Sequence, residues 1–133
     1  MSRRARADER GAAVVDFVLV LLVLLPLVLG ILQLALVLHV RNTLASAAAE
    51  GARHAAVAGS SAPAGQQKVQ DLVDGALSED FVRSVDVRPA TVGGAPGYVA
   101  VVEAEVTVLG LGGAGVRVRV TGHAVAEQAT VAP

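Results

Sequence analysis

The sequence predicts an α+β protein: one long apolar N-terminal helix, then a small domain with one short helix and an antiparallel β-sheet. Three observations carry that prediction. Between Ala12 and Leu38 the only strongly polar residues are Asp16 and Gln33. Over Lys68–Leu77 the apolar residues recur with helical spacing. Tyr98–Leu109 and Val116–Ala126 alternate apolar and polar residues on either side of a Gly-rich loop.

The apolar stretch is long enough to cross a membrane. Phe17–Leu38 is 22 residues, which at about 1.5 Å per residue spans about 33 Å against a bilayer core of about 30 Å. The remaining chain is too short to wrap such a helix in water. Arg3, Arg4, Arg6 and Arg10 precede the span, and only Arg41 and Arg53 follow it before Lys68. That asymmetry predicts a single pass with residues 1–11 cytoplasmic and the C-terminal part extracytoplasmic. Pro26 removes a helical hydrogen bond to Leu22 and is expected to kink the span. Gly30, one turn on, lets a neighbouring helix approach closely.

Beyond the span, Arg41–Ala58 lacks proline and is rich in Ala, the best helix former. The helix is therefore expected to continue as a stalk, so that residues 12–58 form one unit. Ala45, Ala49, Ala52 and Ala56 would line one side of it, a small-residue face suited to packing against copies or partners. Glu50 is placed to pair with Arg53 or His54. Residues 59–67 have linker composition, and 68–133 form the small domain. In it Val69, Leu72, Val73, Ala76 and Leu77 mark an amphipathic helix. A short strand at Ser84–Arg88, closed by Pro89, precedes a Gly/Pro loop over Thr91–Gly97. In the hairpin that follows, Val102, Ala104, Val106 and Val108 share a face. Glu103 and Glu105 occupy the other, opposite Arg117 and Arg119. Thr130–Pro133 reads as a frayed end. Phe17, Phe81 and Tyr98 are the only aromatics in 133 residues. A domain with so few large side chains is expected to lean on a partner.

Composition argues against several functions. A net charge of −1 and no basic patch interleaved with aromatics give no case for nucleic-acid binding. Cysteine is absent, which removes thiolate and disulfide chemistry. His39, His54 and His123 lie far apart in the sequence and suggest no metal site. The carboxylates fall on exposed faces, and Ser60 and Ser61 lie in a linker with no base nearby. Gly110-Leu-Gly112-Gly-Ala-Gly115 matches the dinucleotide fingerprint. Yet it opens a period-two run where that site needs a helix N-terminus, so it reads as a hairpin loop. No catalytic, cofactor-binding or metal-ligating constellation emerges, and the chain is not expected to be an enzyme. Arg3-Arg4 lacks the apolar continuation of a twin-arginine signal. An ordinary signal peptide cleaved after Ala45-Ser46-Ala47 is the alternative reading of the N-terminus.

Asp16 is the informative residue, because a carboxylate inside an apolar run costs free energy. It stands five residues after Gly11 and directly before Phe17. A cut between Gly11 and Ala12 would make it the fifth residue of the product. That arrangement resembles a type IV prepilin leader. Phe17 and the Leu/Val run, Pro26, Gly30-Ile31, Gln33, Asn42 and Ala47-Ala48-Ala49-Glu50-Gly51-Ala52-Arg53-His54-Ala55 extend the resemblance. Over roughly Arg10–Val57 the chain is similar to the TadE family of pilin-like proteins of the tight-adherence (Flp) pilus apparatus. Two departures are Asp16, where the family usually has Glu, and Gln33, where an acid is common.

The resemblance implies a pilin-related membrane protein, a minor subunit or assembly component of a tight-adherence pilus or secretion system. The partners implied are the membrane, other pilin-like subunits, tight-adherence assembly proteins and a prepilin peptidase; no nucleic acid and no cofactor are implied. Gly11 and Ala12 would be the processing site, and Asp16 and Phe17 would set subunit register. Pro26, Gly30, Ala48, Gly51 and Ala52 would serve helix packing. The rival is a secreted or anchored binding module whose N-terminus is a plain signal or anchor. A weaker third is an accessory subunit of an unrelated membrane complex.

Overall fold

The computed structural model describes residues 2–109 and 113–127, with backbone alone for 2–8 and 79. Gly110–Gly112 of the Gly-rich loop and the Thr130–Pro133 end lie outside the described residues. Helix α1 spans Ser2–Ala56 and α2 spans Ala62–Ala76. A single 3-10 turn at Glu79–Phe81 leads into β1 (Val82–Val92), β2 (Ala95–Thr107) and β3 (Gly115–Val125). The strands form one antiparallel sheet in the order β1-β2-β3. The chain divides into two compact units, Met1–Ala35 and Leu36–Pro133. The fold is the α+β arrangement that the sequence predicts.

In the first unit the described residues, 2–35, are a stretch of α1 alone. The helix begins ten residues earlier than expected, at Ser2, because the Arg, Ala and Glu residues of the basic segment are themselves good helix formers. It runs on through Pro26, which lies inside the assigned helix. From Ala12 its side chains are exposed almost without exception, Phe17 at 64 % and Leu22 at 70 %. The helix is long and apolar enough to cross a membrane, and none of its most apolar window is buried.

Leu36–Pro133 is built around the upper part of α1. Val40, Leu44, Ala47, Ala48, Ala52 and Ala55 are buried with Val69 and Val73 of α2 and with the inner face of the sheet. That face carries Val87 of β1, Ala100, Val102, Ala104 and Val106 of β2, and Val118 and Val120 of β3. The core is thus almost wholly valine and alanine, with Phe81 and Tyr98 partly buried at its margin. Such a core is thin, as expected, and α1 of the same chain supplies one of its layers. Glu127 N–H ties the far end of the chain to α1 by donating to the Ala56 carbonyl at 2.9 Å.

Several boundaries differ from those the sequence suggests. The linker is shorter than residues 59–67: α2 starts at Ala62, with the Ser61 hydroxyl accepting from Ala64 N–H and Pro63 in the first turn. A proline there loses no helical bond, because the first N–H groups of a helix have no partner inside it. Strand β1 does not close at Pro89, and the Thr91–Gly97 loop shrinks to Gly93-Gly94. Both glycines have positive φ, 59° and 85°, as a two-residue type I′ hairpin requires.

The phase of the ladder follows from two bonds at its ends. Val108 N–H donates to Ala114 and Ala126 N–H to Pro96, each at 2.9 Å. In that register Val102/Val120 and Ala104/Val118 exchange ladder bonds. Val101/Thr121, Glu103/Arg119 and Glu105/Arg117 are the intervening pairs, whose N–H and C=O groups point away from each other. On the other side β2 then bonds β1 through Val99/Arg88 and Val101/Asp86. Pro89, opposite Tyr98, directs its backbone to the open edge and removes no ladder bond.

Candidate functional site

Three groups of residues stand out: the apolar helix with its lone acid, the small-residue face of α1, and the charged outer face of the sheet. Each is set by the local sequence.

On the apolar helix Gly11, Ala12, Asp16 and Phe17 are all exposed. Gly11 and Asp16 stand five residues apart on one helix, about 7.5 Å along its axis. Nothing lies near enough to Gly11 or Gly30 to touch a Cβ added there. Asp16 is flanked by the exposed Val14, Val15, Phe17 and Val18. A carboxylate in that setting has water at the membrane boundary or a neighbouring molecule to meet its charge.

The small-residue face is turned from where the sequence places it. Ala45 is exposed and Ala49 half-buried, while Ala47, Ala48, Gly51, Ala52, Ala55 and Ala56 are buried. The surfaces that its buried residues meet belong to the same chain. A Cβ on Gly51 would lie 2.9 Å from the Gly65 carbonyl oxygen, and one on Gly65 would lie 2.6 Å from the Gly51 carbonyl oxygen. The two glycines therefore let α1 and α2 cross at backbone contact. A Cβ on Gly122 would lie 2.4 Å from Ala48 C and Ala49 N, so β3 crosses α1 as closely. Ala48 and Gly51 thus sit where the sheet and α2 meet α1, and Ala52 is buried beside them.

The outer face of the sheet carries the alternating charges. Glu103 faces Arg119, with 3.2 Å between carboxylate and guanidinium. Glu105 faces Arg117 in register, yet its ion pair is with Arg83 at 3.4 Å. The register slips between Val82 and Ser84, and this bulge inserts Arg83 and turns it toward Glu105. Ser84 donates to Glu103 at 3.5 Å, and Arg88 pairs with Asp86 at 2.5 Å. The arginines of these pairs are exposed and Glu103 and Glu105 half-buried, and such surface pairs contribute at most about 1 kcal/mol each. Arg83, Glu103, Glu105, Arg117 and Arg119 line an open depression of about 420 Å³.

Among the described residues no three His, Cys, Asp or Glu side chains converge as a metal site. His39 and His54 lie on α1 and His123 on β3.

The sequence reasoning missed Gly65, Gly122, Ser61 and the bulge at Arg83. An isolated glycine within a strand is a recognisable sign of close backbone approach, and Ser-Ala-Pro is a helix start. The bulge has no comparable mark in the sequence.

The fold and these surfaces define an α+β class of protein with one candidate membrane span: an exposed apolar helix whose continuation is incorporated in a small head. Residues 11–53 match the family model described as TadE-like protein, the family that the residues from Gly11 to Arg53 resemble. No curated protein and no solved structure matches the chain.

Proposed function

We propose that the chain is a TadE-like, pilin-related membrane protein, a minor subunit or assembly component of a tight-adherence (Flp-type) pilus or secretion system, and not an enzyme. One observation carries this reading. Gly11, then Asp16 five residues on, opens an exposed apolar helix within the stretch that matches the TadE-like family. Residues 1–11 are a cytoplasmic leader, removed between Gly11 and Ala12 by a prepilin peptidase, and the head is extracytoplasmic. The released amine and the Asp16 carboxylate are then the two charges that neighbouring pilin-like subunits must satisfy.

The buried position of the α1 face argues against the rival binding module with a cleaved signal. A cut after Ala47 would remove Val40, Leu44 and Ala47 from the core, and the first two are fully buried.

Intact-mass measurement of the membrane-extracted protein, expressed with and without a prepilin peptidase, tests the proposal. The expected product begins at Ala12, with formal side-chain charge changed from −1 to −3 by the loss of four arginines and two acids. A leader retained in the presence of the peptidase, or a new terminus at Ala48, would overturn it.

A further inference from the structure

The two edges of the sheet are unlike each other. On β1 the backbone groups facing the open edge belong to the alternate residues Val85, Val87, Pro89 and Thr91, by the phase given above. Pro89 offers no N–H there, and the bulge at Arg83 interrupts the strand near its start. Both features discourage another strand from adding to that edge. On β3 the register with β2 runs unbroken from Gly115 to Val125, without proline or bulge. The N–H and C=O groups of Arg117, Arg119, Thr121 and His123 point to its open side, and among the described residues no strand pairs with them.

The side chains at those four positions lie on the outer face and are exposed. Arg119 is shared with Glu103, but Arg117 forms no ion pair among the described residues, since Glu105 is held by Arg83. The strand carries no acid at all. Two copies of β3 side by side would gather four arginines on one face, and like charges across strands destabilise the pair. A strand with acids on its outer face and small apolar residues on its inner face has the opposite effect. That is the pattern β2 already presents to β3, with Glu103 and Glu105 between Val102, Ala104 and Val106.

We infer that the open edge of β3 is an interaction surface that takes up an acidic, extended segment of another protein as a fourth strand. Main-chain bonds to Arg117, Arg119, Thr121 and His123 hold the segment, and the two arginines select its charge. The inference is independent of the pilus reading, since it requires neither leader cleavage nor Asp16.

The test is residue-resolved amide exchange on the full chain in detergent micelles, with a short synthetic peptide of alternating valine and glutamate as probe. The peptide is expected to slow exchange at Arg117, Arg119, Thr121 and His123 saturably, by about tenfold or more, because these amides change from open to bonded. Val118 and Val120, already bonded to β2, should not change. The same peptide with lysine for glutamate should give no protection. Arg117→Glu should weaken the effect by about tenfold, a reversed cross-strand charge being worth about 1 kcal/mol or slightly more. Thr121→Pro, which removes an outward N–H and no ladder bond, should abolish it. If that variant fails to fold, Arg117→Glu decides. Equal protection by the lysine peptide, protection spread over β1 and α2, or protection of the β3 edge by the chain's own dimerisation would each overturn the inference.

Discussion

The closest approaches in the head are made where a side chain is missing. Gly122 lies on the inner face of β3 over the backbone of Ala48 and Ala49, and a methyl group there has nowhere to go. Neither neighbour is a flexible side chain, so relief requires the strand and α1 to move apart. Gly122→Ala is therefore expected to destabilise the head by about 1–3 kcal/mol, the usual cost of overpacking a tight core. Gly30→Ala is the control. Its added methyl meets nothing, and within a helix alanine is favoured over glycine by about 0.5–1 kcal/mol. Denaturant unfolding followed by circular dichroism should separate the two variants, and equal stability would refute the tight crossing at Gly122.

At the scale of the element, α1 has two characters along its length. From Ala12 to Ala35 it is apolar and almost wholly exposed; from Val40 to Ala56 it supplies one layer of the head's core. A chain beginning at Leu36 should therefore keep the sheet, while one beginning at Gly59 should not. The shorter chain loses Val40, Leu44, Ala48 and Ala52 and leaves the inner faces of Val102 and Val106 in water. Leu44→Ala in the full chain should cost about 2–5 kcal/mol, the range for emptying a fully buried site. Amide dispersion in the two truncated chains, and the unfolding midpoint of the variant, check these outcomes.

The same division of α1 explains how much could be read beforehand. The long helix, the amphipathic α2 and the β2–β3 hairpin with Glu103 and Glu105 facing Arg119 and Arg117 were all legible. Each rests on a local period or alternation. The destination of the alanine face was not, because a stripe of small residues looks the same whether it meets a copy or the chain's own sheet. Only Gly65 and Gly122, far off in sequence, reveal the partner. Pro89 reads as the end of β1 because proline ends an inner strand, and nothing local shows that β1 is an edge. The processing and register roles of Gly11 and Asp16 rest on the family resemblance, since neither residue makes a packing contact that would betray a function.

For the whole molecule the question is what the exposed apolar helix does with one carboxylate. From Ala12 to Ala35 the exposed stretch is about 36 Å long, enough for a bilayer core of about 30 Å, with Asp16 about one turn from its start. Cleavage after Gly11 would add a charged amine at that same end, where a cation opposes the helix dipole. If the helix then packs among other subunits, both charges lose water. Unpaired, each costs several kcal/mol; paired between neighbours they recover much of it and fix the axial register. A peptidase cutting at Gly11 would act about one and a half turns away and would have no need of the carboxylate. Asp16→Ala should therefore still be cleaved and inserted, yet fail to co-purify with the assembled fraction. Asp16→Glu, which keeps the charge and adds one methylene, should be recovered normally. Two measurements on each variant decide the matter: leader removal by intact mass, and recovery with pilus or secretion components. Normal recovery of Asp16→Ala would reduce Asp16 to a residue at the membrane boundary and remove the case for pilin-like assembly.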